Sequence, residues 1–127
     1  VKHHFSYGIY ARELFIPKGI ALTGQIHKYS QLNFMLKGEM KVLVGDEVKH
    51  IKAPFMIVSP PGTKRIAYAI EDTIWITVLG TYETDIEVIE QHFVCNSEEE
   101  YLKFLSEQPK LPFDDSDKPA IINGLDV

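Results

Sequence analysis

Regularly spaced turn signals over residues 7–79 are the feature that most restricts how this chain can fold. The segments between them are rich in β-branched and aromatic residues, which favour strands. Every connector is short, and six of the seven contain glycine, proline or aspartate, the residues that form tight turns. The pattern predicts about eight strands packed as a sandwich or barrel. They cover residues 9–16, 22–29, 33–36, 40–44, 47–52, 55–59, 65–70 and 73–79.

The composition changes after residue 80, where helical periodicity replaces alternation. Ile86, Ile89 and Phe93 have helical spacing and acidic residues lie between them, which predicts a helix over about 85–93. Ser97 and Glu100 have the spacing of a capping box, which predicts a second helix over about 97–106.

The last segment, residues 108–127, contains three prolines and an acidic patch, and it is predicted to be an extended tail. It also holds apolar residues, which favour packing on the barrel or on a second subunit. The predicted organisation is therefore a single domain over 1–107, with a barrel over about 9–80, followed by the tail.

Bulk composition excludes several functional classes. With 127 residues, 45% of them hydrophobic, and a formal charge of −5, the chain has globular composition and lacks the broad basic surface that nucleic-acid binding needs. No stretch approaches the roughly 20 apolar residues that span a bilayer, and the start resembles no secretory signal. The single Cys95 cannot form an intramolecular disulfide. These features predict a cytoplasmic protein that binds neither nucleic acid nor membrane.

Two stretches resemble the motifs of the cupin superfamily. Gly19 and Gly38 bracket the first motif, in which a glycine, a His-x-His pair, a glutamate and a second glycine follow at fixed spacing. The sequence Ser59-Pro-Pro-Gly-Thr-Lys-Arg65 is similar to the second motif, Pro-x-Gly-x-x-His. This resemblance implies an all-β fold, the cupin jelly-roll β-barrel, with one or two short C-terminal helices and the extended tail.

The resemblance also implies where a metal would bind, and the sequence departs from that pattern. Gln25 occupies the position of the first histidine, Gln31 that of the glutamate and Arg65 that of the closing histidine, so that His27 alone is retained. A guanidinium is always cationic and offers no lone pair to a divalent ion. No cofactor is therefore expected, and if a divalent metal were bound, His27 and Gln31 would be its ligands.

Strand alternation predicts a polar pocket instead. If residues 22–29 form one strand, Gln25, His27 and Tyr29 share a face with Gln31, and the barrel brings Arg65 to them. These five residues are the predicted binding site for a small polar or anionic ligand, with Arg65 as a bidentate partner for a carboxylate or phosphate. The alternative is that the same side chains form a structural hydrogen-bond network. Trp75 is predicted either to line the cavity mouth or to pack in the core.

Residues 10–19, 59–65 and 71–75 further resemble small cupins encoded by bacteriophages and prophages, which implies residence in the host cytoplasm and no established activity. His27 with Gln31 is more weakly similar to part of the cupin-type nucleotide-sugar ketoisomerase site. That similarity implies a proton-transfer role for His27, with Tyr29 as its partner and Arg65 holding a phosphate or sugar oxygen.

Three functions follow from these observations. The leading hypothesis is a phage-type cupin that binds a small polar or anionic ligand without classical metal catalysis. The alternatives are an enzyme, either a nucleotide-sugar isomerase or a metal-dependent oxygenase, and a structural or assembly protein of a phage. A homodimer is expected, since cupins commonly pair through their sheets.

Overall fold

The computed structural model describes residues 1–108, which form eleven strands and two helices. The predicted tail lies outside these residues, except for Gln108. The elements in chain order are β1 (Lys2–Ser6), β2 (Ile9–Ile16), β3 (Ala21–Thr23), β4 (Ile26–His27), β5 (Gln31–Lys37), β6 (Glu39–Val44), β7 (Glu47–Lys52), β8 (Phe55–Ser59), β9 (Ile66–Ala69), β10 (Thr73–Gly80), α1 (Ile86–Phe93), β11 (Val94–Cys95) and α2 (Glu98–Ser106).

The strands form two facing antiparallel sheets, which confirms the predicted jelly-roll barrel. One sheet has the order β1-β2-β10-β5-β8 and the other β3-β9-β6-β7, while β4 and β11 form a separate pair. Ile16 and Met35 of the first sheet pack against Met40, Val42 and Ala69 of the second. Burial of these apolar side chains closes one end of the barrel and holds the sheets together.

The predicted strand over residues 22–29 is wrong, because the chain changes partner in its middle. β3 pairs with β9, whereas β4 pairs with β11. Between them the Gly24 amide donates to the Arg65 carbonyl at 2.8 Å, and a Cβ on Gly24 would lie 3.4 Å from that oxygen. This bond continues the β3–β9 register by one residue, after which the chain pairs with β11 instead, so alternation cannot be carried from residue 22 to residue 29.

Helix α1 packs across the end of the barrel away from the Met35 cluster, as its apolar spacing predicts. Ile89 is 3% exposed and packs with Tyr10 and Leu79, and Phe93 borders the same cluster. The Asp85 side chain caps the helix by accepting from the Glu87 amide at 3.0 Å. Within residues 1–108 no helix is long and apolar enough to cross a membrane.

Helix α2 begins at the predicted N-cap, Ser97, with one of the two hydrogen bonds of a capping box; the carboxylate of Glu100 reaches the residue before the cap. The Ser97 hydroxyl accepts from the Glu100 amide at 3.1 Å, and the Glu100 carboxylate accepts from the Asn96 amide at 3.0 Å. The Tyr101 ring lies against Gly62, so that the helix is attached to the turn that follows β8. Both helices thus lie near the segments that carry the second motif and β4.

The turn between β5 and β6 places a strict requirement on its glycine. Gly38 has a φ of +103°, and a Cβ there would overlap the Thr73 side chain and the Asp72 carbonyl. We expect Gly38→Ala to lower the free energy of unfolding by about 2–4 kcal/mol, through both the left-handed backbone and the overlap. Gly45→Ala is the matched control, since Gly45 has a φ of +61° with nothing within 4 Å of the added carbon, and it should cost about 1 kcal/mol. Urea unfolding measures both, and equal losses would contradict the packing argument.

Candidate functional site

A cavity of about 700 Å³ occupies the barrel between the two sheets. This volume is within the range of small-molecule sites in proteins, roughly 300–1,000 Å³. Its polar and charged lining comes from Tyr10, Arg12, Gln25, His27, Gln31, Lys49, His50, Thr63, Arg65, Thr77 and Glu90. The remaining lining is almost entirely aliphatic or aromatic.

Four of the five predicted site residues border this cavity: Gln25, His27, Gln31 and Arg65. Gln25 is exposed at the rim, while the other three are partly buried. β4 and β5 place His27 and Gln31, and Arg65 directly precedes β9. The residues that the motif comparison singled out are therefore brought together, although Gln25 and His27 do not belong to the unbroken strand that was predicted.

Tyr29 is not part of the cavity wall. Its ring is 40% exposed and packs edge-on against Phe93 and Phe104, with His92 beside it. The physical reason is the break at Gly24, after which only Ile26 and His27 keep strand geometry before β5 begins. Tyr29 therefore anchors the two helices rather than facing the barrel interior.

Arg65 belongs to a buried chain of hydrogen bonds that crosses the barrel. Its guanidinium donates to the Ser59 hydroxyl at 2.8 Å, the Asn33 amide donates to that same oxygen, and the Thr77 hydroxyl donates to the Asn33 carbonyl oxygen at 2.9 Å. Asn33 and Ser59 are 0% and 1% exposed. A structural hydrogen-bond network, the alternative to a ligand site, is thus present in part. Of the five predicted site residues, Arg65 alone belongs to it.

Arg12 is the functional candidate that the motifs missed. It lies in β2, where Tyr10, Leu14 and Ile16 also border the cavity, so alternation alone places its side chain inside the barrel. Within residues 1–108 its guanidinium has no hydrogen-bond or ion-pair partner among the side chains and carbonyls. An arginine among inward-facing apolar residues was the signal available in the sequence.

Burial and two neighbouring arginines set the protonation of His27. Burial is the larger cause, and together with the positive charges of Arg12 and Arg65 it lowers the pKa of His27 to about 4. The ring is therefore neutral at pH 7. Its Nδ1 atom and the Gln31 Oε1 atom are buried and have no hydrogen-bond partner in the described part of the chain. These side chains consequently do not complete a self-satisfied network.

The residues present do not fit a cupin metal centre. In residues 1–108 no three His, Cys, Asp or Glu side chains lie close enough together to hold a metal ion. His27 is the single imidazole at the motif positions, and two guanidinium groups border the same cavity. The positive charge of a guanidinium repels a divalent cation, and the group supplies no ligand atom.

Trp75 lies deep in the cavity and also packs against the Met35 cluster. Strand register puts it opposite Leu14 on one side and Met35 on the other. Trp75 therefore packs in the core, as one prediction had it, and it also lines the cavity, but in the apolar interior and not at the mouth.

The barrel is similar to solved cupin structures. KdgF from Halomonas sp. matches with a TM-score of 0.54 at 19% identity, covering 68% of this chain and 80% of that one. A cupin-2 domain protein from Shewanella frigidimarina gives 0.51 at 12% identity, covering 61% and 76%. An RmlC-like cupin from the same organism gives 0.50 at 23% identity, covering 60% and 68%. No family model and no curated protein matches the chain. At these identities the likeness establishes the fold.

The neutral state of His27 has a consequence for stability. The unfolded chain takes up a proton at this histidine near pH 6.5, whereas the folded protein does so near pH 4. Its contribution to stability is therefore fully present above pH 6.5 and is lost as the pH falls towards 4. We expect His27→Gln to have a shallower decline in the free energy of unfolding across this window.

The direct measurement is the pH titration of the His27 Cε1 proton by NMR, with the His27→Gln spectrum used to assign it. The expected midpoint is near 4. A midpoint near the ordinary value would show that neither burial nor the two arginines perturb this ring.

Proposed function

We propose that this cupin-fold protein binds a small anionic ligand inside its barrel, held by Arg12 and Arg65, without classical metal catalysis. One observation carries the proposal: the sequence contains two arginines, and both border the same cavity although they are far apart in the chain. All other fixed positive charges of the sequence belong to lysines. Two always-charged groups in one partly apolar cavity favour a negatively charged occupant.

The hydrogen-bonding capacity of the two guanidinium groups supports this proposal. Each group has five N–H donors, yet the described residues provide Arg65 with one side-chain acceptor and Arg12 with none. The ion pairs of residues 1–108 involve other side chains. A partly buried cation without a partner is costly, and a carboxylate or phosphate would satisfy it by paired, charge-assisted hydrogen bonds.

Glu90 is the one carboxylate among the lining residues, and it limits the charge of the site. It lies on α1, is exposed, and has no ion-pair partner in the described part of the chain. Water and salt therefore screen its charge more than those of the buried groups. The cationic character of Arg12 and Arg65 is retained, and the ligand would bind on the inner side of Glu90.

Binding without catalysis is favoured over the two enzymatic alternatives. A metal-dependent oxygenase needs ligands that the motif positions no longer supply. An isomerase acting through His27 needs a base matched to the working pH, and a histidine with a pKa of about 4 accepts protons poorly near neutrality. Tyr29, the implied partner of His27, packs elsewhere.

A structural or assembly role would depend mainly on the tail, which lies outside the described residues. Origin from a phage, location in the host cytoplasm and a homodimeric state are further proposals that accompany this function. None of them is needed for the cavity to bind an anion.

The proposal is tested by NMR of the arginine Nε–Hε groups, because two arginines give two signals. Inorganic phosphate and acetate are the probes. We expect saturable shifts of both signals, and at least a tenfold loss of affinity in Arg12→Met and in Arg65→Met, since each removes a bidentate partner.

Lys41→Met is the matched control, since it removes one positive charge from the exposed face of β6 and should keep the affinity of the original protein. If anion affinity fell equally in all three variants, the loss would reflect the net charge of the protein, and the proposed site would be rejected. Absence of any saturable shift with either anion would also reject it.

A further inference from the structure

We infer, on the premise that Arg12 and Arg65 bind an anion, that the ligand is an amphipathic organic acid: one acidic head joined to an apolar body. The head would lie between the arginines, and the body would extend towards Trp75. We base this inference on the change from polar to apolar side chains along the cavity. The pairing of residues between neighbouring strands shows where that change occurs.

In the first sheet, the change occurs between two neighbouring rows of inward-facing side chains. The row nearer the closed end consists of Leu14, Trp75, Met35 and Phe55, which lie opposite one another across four strands. The next row consists of Arg12, Thr77, Asn33 and Ile57, of which the first three are polar. On β2, β10 and β5, apolar and polar groups are thus separated by one step of two residues.

On β9 and the segment before it, in the second sheet, an apolar and a charged side chain are likewise two residues apart. Ala67 lies opposite Leu22 on one side and Val42 on the other, and all three border the cavity. Two residues earlier along the chain is Arg65, next to Gly24. Two residues of strand span about 7 Å. A ligand held at the arginines therefore meets apolar wall within the length of a few methylene groups.

The deep apolar wall remains accessible, so a ligand can use it. Leu14, Phe55, Ala67 and Trp75 face inward but are only partly buried, whereas Met35 and Ala69 at the closed end are 0% exposed. Burying a polar or charged group against this wall would carry a desolvation penalty. An apolar body gains free energy there, equivalent to about fourfold in affinity for each fully buried methylene.

The charges point to a single acidic head. Arg12 and Arg65 each lie one step of two residues from the deep apolar rows, and the one ionisable side chain in those rows is Lys49, opposite Val42 on the edge strand β7. Lys49 and His50 also border the cavity, but both are exposed in β7, and His50 is engaged by Glu39 at 2.6 Å. A second acidic group placed against Trp75 would lie in the row of Leu14, Met35 and Phe55, all apolar, and away from Lys49 on the edge strand of the other sheet.

Isothermal titration with three probes separates head from body. Acetate provides the head alone, hexanoate provides head and body, and hexanol provides the body alone. We expect hexanoate to bind at least tenfold more tightly than acetate, because it buries up to four additional methylenes. Hexanol should bind at least tenfold more weakly than hexanoate, because the arginines gain no partner.

The position of the body is tested in the apolar wall itself. Ala67→Leu fills the space beside Val42 and should bring the hexanoate-to-acetate affinity ratio down to within about threefold of unity. Ala21→Leu makes the same change at an exposed position of the neighbouring strand, opposite Tyr68, and should keep the original ratio. Trp75 is the single tryptophan of the sequence, so its fluorescence provides a second readout that needs no variant. 6-Bromohexanoate should quench it saturably, and excess hexanoate should reverse the quenching.

The possible outcomes distinguish this inference from the anion site on which it rests. If acetate and hexanoate bind equally well and Trp75 is not quenched, the amphipathic ligand is rejected while the anion site stands. If neither acid binds in the arginine-dependent manner, the anion site itself fails. If hexanol binds as tightly as hexanoate, the cavity is a purely apolar pocket and both proposals fall.

Discussion

The hydrogen bond from Arg65 to Ser59 is the interaction on which the interior of this barrel depends. Through Ser59 it reaches Asn33 and Thr77, so one chain of donors and acceptors links the segment before β9 to β8, β5 and β10. The chain holds a guanidinium inside a largely apolar barrel in a fixed orientation. Because Arg65 uses one donor in this way, the rest of its planar group remains available to the cavity. The same contact therefore stabilises the two sheets and orients a charged group.

Much of the fold could be predicted from the sequence because its information is local. Turn residues divide most of the strands, and the spacing of Ser97 and Glu100 identifies the start of α2. The Ser97 cap forms as expected, while the Glu100 carboxylate accepts from the Asn96 amide and not from that of Ser97. Two short strands, β1 and β11, escaped prediction, although the two-residue turn Tyr7-Gly8 joins β1 to β2. β1 is exposed along its whole length and exists through its pairing with β2, which is a tertiary effect.

The site was less predictable, since it depends on long-range geometry. Motif spacing located Gln25, His27, Gln31 and Arg65, but the assumption of one continuous strand placed Tyr29 on the wrong surface. The backbone contact between Gly24 and Arg65, far apart in sequence, could not be read from either segment alone. Arg12 was overlooked because it belongs to no motif. The alternation of β2 would have placed it beside the other cavity residues, since it faces the same way as Leu14.

The position of Arg12 within β2 also bears on how such a barrel can change over evolution. β2 is held on both sides by backbone pairing, to β1 and to β10, and these ladders do not depend on which side chain points inward. The interior chemistry of the strand is consequently separable from its scaffold. A cation can replace a metal ligand, or an apolar group a cation, while the ladders stay unchanged. Gln25, Gln31 and Arg65 stand at positions where the cupin motifs carry metal ligands, and backbone ladders hold a barrel of the same architecture around them.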